Sequence, residues 1–379
     1  NAFYACEKDG DADYILAVSG KKITEKIGGA ELLFKGETSP TALENFFKCP
    51  FVAFMQNGLK LKENVKSEMD YAEIGSVMHK VFEEYSKRIG KITDKAYSDM
   101  EIERIKGEIL EDSENGRHLS SSRGEYLLNA IFDECKDFCY KNYSAYSDSD
   151  FKFARAEVAF GEGKEKTGGF PAVSLAGGDI KLKGVIDRID VFVSPDGTKY
   201  CRIVDYKTGK REVKDKDLFT GVKLQLFLYA AAVKGYRIAG VYYMPVLDRF
   251  LKKGESSALT VGKTVNEKEL LYAQDKKFAE SGKGDFISGT NTGRNGGLVS
   301  EEELSAYLKY ALKVCERGAK EMLRGYVKPS PAAGACEFCP YFSVCGNDGK
   351  ERSVGSVSAK TIAESVEKRT VGEKEDAES

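Results

Sequence analysis

Two stretches decide the fold: Gly184-Val185-Ile186-Asp187-Arg188-Ile189-Asp190-Val191-Phe192-Val193 and Lys199-Tyr200-Cys201-Arg202-Ile203-Val204-Asp205-Tyr206-Lys207-Thr208-Gly209. Both are rich in β-branched and aromatic residues, and Ser194-Pro195-Asp196-Gly197 between them supplies turn chemistry. Together they predict an antiparallel hairpin. Side chains alternate along a strand, so Asp205 and Lys207 share a face, with Ile203 below them. Asp187 is expected on the face of Val185, Ile189 and Val191, at the end of an apolar row, and Asp190 on the opposite face. Antiparallel pairing then sets Asp187 beside Asp205. Two neighbouring carboxylates repel, and one takes up a proton unless a cation lies between them. A hard divalent ion such as Mg²⁺ resolves that conflict, and Lys207 is placed to orient a water or to stabilise charge on a phosphate. A lone Asp-x-Lys pair is ordinarily a surface salt bridge worth under about 1 kcal/mol; the second, aligned arm argues for a site.

Outward from the hairpin the chain reads as α/β. Residues 153–160, 181–193, 199–206 and 238–246 are strand-like. Helices are expected at about 71–89, where Ile74, Val77, Met78, Val81, Phe82, Tyr85 and Ile89 recur at helical spacing, and near 97–112, 124–141 and 216–234. Ser39-Pro40-Thr41 opens an earlier helix, with Pro40 in its first turn and Thr41 paired with Glu44 as a capping box; Cys49-Pro50 ends or kinks it. Ser300 with Glu303 caps a long helix to about 324, stopped by Lys328-Pro329-Ser330-Pro331. Residues 250–299 read as a mobile insertion, with a helix at 266–279 started by Asn266 and Glu269 and then a glycine-rich loop. Residues 347–379 are charged and Ser-rich, and read as a tail that is disordered or ordered only by a partner. Residues 1–38 read as the remnant of a preceding region, and the first residue, Asn1 rather than Met, suits a piece of a longer chain.

Composition narrows the function. Lys+Arg number 58 and Asp+Glu 60, so any nucleic-acid contact comes from a local basic patch rather than a polycation. No apolar run approaches the roughly 20 residues needed to span a bilayer. Nine cysteines, unevenly spaced, argue for a reducing compartment, the cytoplasm, with metal-binding or buried thiols. Cys336-Glu337-Phe338-Cys339 with Cys345 reads C-x2-C-x5-C, and three thiolates so close need a fourth ligand; Cys49 is the candidate. Zinc accepts four cysteines and so does an iron–sulfur cluster, so thiol chemistry leaves both open. Such a link closes a loop of roughly 300 residues, and long closures remove the most entropy from the unfolded chain. Cys135 and Cys139, at i, i+4, read as core packing. His118 reads as solvated. Ser257 stands where a P-loop ending in Gly262-Lys263-Thr264 needs its first glycine, so no ATPase is read.

Five motifs stand in order: Gly75-x-x-x-His79, a strand bearing Glu157, Gly184-x-x-Asp187-Arg188-x-Asp190, Asp205-Tyr206-Lys207-Thr208-Gly209, and Gln225-x-x-x-Tyr229. In that order the chain resembles the RecB-type branch of the PD-(D/E)XK nucleases. The resemblance implies a restriction-endonuclease-like core, a mixed central sheet flanked by helices, over residues 39–346. It implies that His79, Asp187, Asp205 and the Tyr206 carbonyl hold a divalent metal, Mg²⁺ or Mn²⁺, with Lys207 as the catalytic lysine. Glu157 becomes an accessory acid, and Gln225 and Tyr229 line the site. Taken alone, His79 on its helix is ordinarily structural, and Gln225 and Tyr229 serve equally well as the polar edge of a helix whose Leu224, Phe227, Leu228 and Ala231 fill the core.

One early cysteine and the late C-x2-C-x5-C make the chain similar to the members stapled by a 4Fe–4S cluster, with Zn²⁺ second at Cys49, Cys336, Cys339 and Cys345. These include AddB-type subunits of bacterial helicase–nucleases and CRISPR-associated adaptation nucleases, and the long gap between Cys49 and Cys336 suits the AddB type. That resemblance implies single-stranded DNA ends as substrate, an AddA-like helicase–nuclease subunit as partner and no membrane. The competing readings are a DNA-end-binding scaffold with a decayed site and a free-standing CRISPR-type nuclease.

Overall fold

The computed structural model describes residues 26, 36–61, 71–111, 122–209, 212–246, 258–288 and 297–367. In chain order the elements are β1 (Glu37–Thr38), α1 (Pro40–Lys48), α2 (Pro50–Ala53), α3 (Tyr71–Arg88), α4 (Lys95–Glu111), α5 (Ser122–Ser147), β2 (Lys152–Phe160), β3 (Val173–Leu175), β4 (Ile180–Leu182), β5 (Gly184–Val193) and β6 (Lys199–Lys207). Then follow α6 (Asp215–Thr220), α7 (Gln225–Ala232), β7 (Arg237–Pro245), β8 (Val261–Val265), α8 (Lys268–Gln274), α9 (Lys276–Ser281), β9 (Leu298–Val299), α10 (Glu301–Leu323) and α11 (Ala359–Glu367).

The central sheet has six strands in the order β2-β5-β6-β7-β8-β9, with the β6–β7 and β8–β9 pairs parallel and the rest antiparallel. A small sheet, β1-β4-β3, lies beside it. One core cluster joins Ile186, Ile189 and Ile203 of the central sheet to apolar residues of α1, α7 and α10. A second joins Val204, Tyr206, Tyr242 and Met244 to α3, α4 and α5. The site strands are thus clamped between two helical layers, as the mixed-sheet expectation required.

The predicted β5–β6 turn forms: Gly197 is left-handed (φ 86°), its N–H donates to the Ser194 carbonyl (2.9 Å), and the Asp196 carboxylate accepts from the Thr198 N–H (2.8 Å). At α10 both halves of the capping box are made: the Glu303 N–H donates to Ser300 Oγ (3.1 Å) and the Ser300 N–H to Glu303 Oε2 (2.8 Å).

Several expectations are corrected. Ser39, not Thr41, caps α1 by accepting from the Ala42 N–H (3.2 Å), which frees Glu44 for another role. The 181–193 run divides at Lys183, and its first part, β4, belongs to the small sheet. The 216–234 helix is two helices, broken at left-handed Gly221 (φ 82°), where a Cβ would meet the Phe47 ring at 2.5 Å. The 266–279 helix is also two; it starts after Glu267 and breaks at Asp275. The Asp275 carboxylate accepts from the N–H groups of Phe278 (3.0 Å), Phe286 (2.7 Å) and Ile287 (3.0 Å).

The 250–299 segment is not a mobile insertion where it is described, because β8 is an inner strand of the central sheet. Within it Lys263 is buried and ion-paired to Asp215 (2.9 Å), a structural role in place of phosphate binding. The tail is held by its own chain up to Glu367. Ile362 is fully buried, the Lys313 ammonium donates to the Ser365 carbonyl (3.0 Å), and Arg352 bonds the carbonyls of Ser330 and Phe47. Cys135 and Cys139 are buried core residues as expected. His118, Cys6, the tip of the glycine-rich loop and most of 1–38 lie outside the described residues. Among the described residues no helix is long and apolar enough to cross a membrane.

Candidate active site

The β5–β6 register pairs Arg188 with Val204 and Ile189 with Ile203, so one step further Asp187 faces Asp205. On the other side, β5 pairs Arg188 with Ala156 and Ile186 with Val158, which sets Asp187 against Glu157 of β2. Here the simple alternation fails. Ile186 and Ile189, three apart, enter the same core, while Val185 is 39% exposed, so the expected row Val185–Asp187–Ile189–Val191 is corrected at its Val185 end. The facing of the strands switches at the Asp187–Glu157 pair. Glu157 has a left-handed backbone (φ 48°), a conformation rare for any residue with a long side chain. Gly184 is required by space: a Cβ would lie 2.7 Å from the Phe160 ring. Gly75 is not, since a Cβ there makes an ordinary 3.6 Å contact with Thr208.

The expected side chains converge. His79 Nδ1 lies 3.4 Å from Asp187 Oδ2, and the same oxygen accepts from the Tyr206 N–H (2.8 Å). His79, Glu157 and Asp187 each offer a ligand atom within 4.8 Å of the others. The His79 ring also packs edge-on to the Tyr206 ring, with centroids 6.1 Å apart. Lys207 Nζ sits 2.5 Å from Asp205 Oδ2. That contact is an ion pair, and Lys207 is the one cation held against the Asp205 oxygens, which are fully buried and have no further hydrogen bond among the described residues. A buried carboxylate held by a single ammonium, with a second carboxylate opposite it, is costly. A divalent cation is the partner its geometry calls for, so the residues present fit a metal.

The acidities carry the same message. Burial pushes Asp187 up to about 7, against the opposing pull of Lys207 and the Tyr206 N–H. Asp205 is likewise pushed up to about 7, first by burial and then by the Asp187 charge. Burial, with Glu83 adding to it, raises Glu157. Burial lowers His79 and keeps the imidazole neutral, the form in which it binds metals.

Gln225 and Tyr229 also reach the site. Gln225 Nε2 donates to Tyr229 Oη (2.6 Å), and the Tyr229 ring packs edge-on to Phe160, beneath Gly184. Tyr229 is held protonated by burial and by the charge of Asp205. Glu44, expected in a capping box with Thr41, instead bonds the N–H groups of Leu224 and Gln225 and acts on Lys207 electrostatically. The signal for this was in the sequence. The residue before α7 is Leu224, whose side chain cannot cap a helix, so a cap had to come from elsewhere.

Asp190, predicted to face away, is fully buried on the opposite side of the sheet. It accepts from Arg188 Nε (2.7 Å) and Nη2 (3.0 Å) and from Arg202 Nε (2.9 Å). Arg188 Nη1 reaches Asn142 (3.2 Å) and the Tyr206 hydroxyl (3.4 Å), and that hydroxyl bonds Ser86 of α3 (3.0 Å). Ser86 and His79 lie two turns apart on one helix, so this network also fixes the helix that carries His79.

The four predicted cysteines meet in one small cavity. Cys49, Cys336, Cys339 and Cys345 line it together with Phe51, Val52, Pro329, Pro331, Ala335, Phe342 and Asn347. All four are free thiols. A mostly apolar lining that gathers four cysteines on one cavity suits a thiolate-bound metal group.

Comparison with known proteins agrees with this geometry. Residues 37–346 match the PD-(D/E)XK nuclease superfamily. The B-type subunit of the ATP-dependent helicase/deoxyribonuclease of Alkaliphilus metalliredigens is 25% identical over 380 residues, covering 88% of this chain and 32% of that one. The subunit of the same name from Caldanaerobacter subterraneus is 28% identical over 399 residues, covering 92% of this chain and 34% of its own. That of Alkaliphilus oremlandii is 27% identical over 348 residues, covering 82% of this chain and 30% of its own. The chain therefore spans about a third of the length of these relatives. A sheet that opposes Asp187 to Asp205, a buried carboxylate paired with Lys207 and a family match over most of the sequence lead to one conclusion: this chain belongs to the PD-(D/E)XK nuclease superfamily.

Proposed function

We propose that the chain is the nuclease region of an AddB-type helicase–nuclease subunit, hydrolysing phosphodiesters of single-stranded DNA at broken duplex ends beside an AddA-like partner. The observation that carries this reading is Asp205, buried, opposite Asp187 and with no hydrogen bond beyond its contact with Lys207. Asp187, Asp205, His79 and the Tyr206 carbonyl would hold a divalent ion, and their oxygen-rich set favours Mg²⁺ or Mn²⁺. When bound, such an ion polarises a phosphate and acidifies a water.

The remaining work falls to the chain's own groups. Lys207 Nζ carries a fixed positive charge to the mouth of the site, where it stabilises negative charge on the phosphate oxygens. Gln225 occupies the Tyr229 oxygen as a donor, which leaves the tyrosine proton free to bond a phosphate oxygen. Glu157, exposed at the rim of the site and raised in pKa, stands where it can hold a proton for a leaving oxygen. A groove of about 400 Å³ runs along the free edge of β2 past Lys87, Arg155 and Glu157 and supplies an approach for an extended strand.

The test is cleavage of end-labelled single-stranded DNA with Mg²⁺ by wild type, Asp205→Ala and Lys207→Ala. Each variant should lose at least about 100-fold in rate, the usual cost of removing one preorganised charge from a phosphoryl or acyl site. Equal rates in all three proteins would reject the nuclease reading, and DNA-end binding without cleavage by wild type would favour a scaffold. At Cys49, Cys336, Cys339 and Cys345 we assign a 4Fe–4S cluster, on the four-thiol cavity and the resemblance. Iron and sulfide in a one-to-one ratio after anaerobic purification is the expected outcome; stoichiometric zinc overturns it.

A further inference from the structure

Helix α7 carries Gln225 and Tyr229, but it begins without a cap of its own: its N-cap residue is Leu224, which makes no side-chain hydrogen bond. The cap arrives from a distant part of the chain. A single oxygen of Glu44, Oε1, accepts from the Leu224 N–H (2.7 Å) and the Gln225 N–H (2.8 Å). A carboxylate suits this place, because the first N–H groups of a helix are unpaired and its N-terminus is electropositive. Glu44 is half-buried; burial raises its pKa while the two N–H bonds, Lys48 and Lys207 pull it down. Its charge in turn acts on Tyr229.

Glu44 belongs to α1, and the residue after α1 is Cys49. The C-terminal end of α1 is tied to the cysteine-rich segment as well: the Ala332 N–H donates to the Lys48 carbonyl (2.7 Å), and Arg352 bonds the Phe47 carbonyl. One short helix thus touches the cysteine knot at its end and the site helix at its middle.

We propose that Glu44 is a positioning residue of the nuclease site: its carboxylate caps α7 across the fold, setting Gln225 and Tyr229 against Asp205, and makes α1 the strut between the cysteine knot and the catalytic carboxylates. This rests on the nuclease reading for its catalytic consequence and stands apart from it for its structural one.

The experiment uses the full chain as wild type, Glu44→Ala, the near-isosteric Glu44→Gln, Gln225→Ala, and the double variant Glu44→Ala/Gln225→Ala. Hydrogen exchange followed by mass spectrometry reads the peptide spanning 224–232, and single-stranded DNA cleavage gives kcat and KM. Loss of a helix cap should speed exchange in that peptide about 5- to 30-fold in Glu44→Ala, with most of the protection kept in Glu44→Gln, which still accepts a hydrogen bond. Cleavage should fall in Glu44→Ala and recover in Glu44→Gln, and adding Glu44→Ala to Gln225→Ala should cost far less than it does in wild type.

Unchanged exchange overturns the proposal. So does multiplicative loss in the double variant, which would mean that Glu44 acts independently of α7. Glu44→Gln as inactive as Glu44→Ala with normal exchange also overturns it, since the charge itself would then be what matters. A wild type without cleavage would sink the nuclease reading alone, and the exchange measurements would still decide the role of Glu44.

Discussion

The same two strands carry two clusters of acids and bases on opposite faces of one sheet, and the clusters are built to opposite rules. On the back, Asp190 receives three hydrogen bonds from Arg188 and Arg202, and the Arg202 guanidinium lies 3.8 Å from the Phe286 ring centroid. Burial alone would raise Asp190, but the two arginines outweigh it and lower its pKa. On the front, Asp187 and Asp205 are also buried, with Lys207 paired to Asp205 as their one lysine contact, and both are pushed up to about 7. The motif Gly-x-x-Asp-Arg-x-Asp therefore contains one aspartate locked by two arginines and, on the proposed function, one that works in the site. What separates them is not burial but how much compensating charge the protein supplies: two arginines for the one aspartate on the back, one lysine for two aspartates on the front.

The largest effect expected from this contrast is on stability. Asp190→Ala leaves two buried guanidinium groups without their carboxylate. Breaking a buried pair in this way costs about 3–5 kcal/mol, enough to unfold many domains. Asp205→Asn removes one of two neighbouring buried carboxylates at the cost of its Lys207 ion pair, and should move the urea midpoint far less than Asp190→Ala does. If Asp190→Ala is tolerated and Asp205→Asn unfolds the chain, the assignment of holding and working roles is reversed.

A second effect separates the faces by pH. Asp187 and Asp205 have folded-state pKa values raised toward 7 from an ordinary carboxylate value near 4, so the folded apo chain binds more protons than the unfolded one in that interval. Their contribution to stability is then full below about pH 4 and is lost as pH rises through 7. Metal-free wild type should lose up to roughly 5 kcal/mol from these two groups between pH 5 and 8, and excess Mg²⁺ should restore much of it at pH 8. His79, lowered by burial, changes in the opposite sense, so the readout is the difference between wild type and Asp205→Asn in urea melts across that range. A difference independent of pH would mean that the front carboxylates are already compensated.

Much of this arrangement was legible in the chain because it rests on local rules. The Ser194–Gly197 turn fixes the β5–β6 register, and the register fixes which acids face each other. The rest depended on relations that period and propensity do not encode. Strand β8 was missed because Gly262, Lys263 and Thr264 look polar, although Lys263 is buried only by virtue of Asp215 on another element. The 347–367 segment was missed because it is held by a few scattered apolar residues, such as Val357 and Ile362, and by backbone bonds to Arg352 and Lys313. Glu44 was assigned to the nearest plausible partner, Thr41, when its true partners lie on α7. The switch of facing at Asp187 was invisible because a period-two pattern assumes an extended backbone throughout.

That last point yields the smallest and cleanest test. Glu157 sits at φ 48° in a strand, opposite the carboxylate around which the facing changes. For an ordinary strand position, glycine is less stable than alanine by about 0.5–1 kcal/mol, because it loses more backbone freedom on folding. At a left-handed position the order inverts, since the Cβ of alanine there costs about 1–2 kcal/mol that glycine avoids. Glu157→Gly should therefore be more stable than Glu157→Ala by about 0.5–1 kcal/mol in urea melts, while both lose the carboxylate equally. Neither should match wild-type cleavage if Glu157 holds a proton at the site. Alanine more stable than glycine would show that β2 runs extended through residue 157. The front cluster would then need another explanation for why Ile186 and Ile189, on one strand and three apart, share a core.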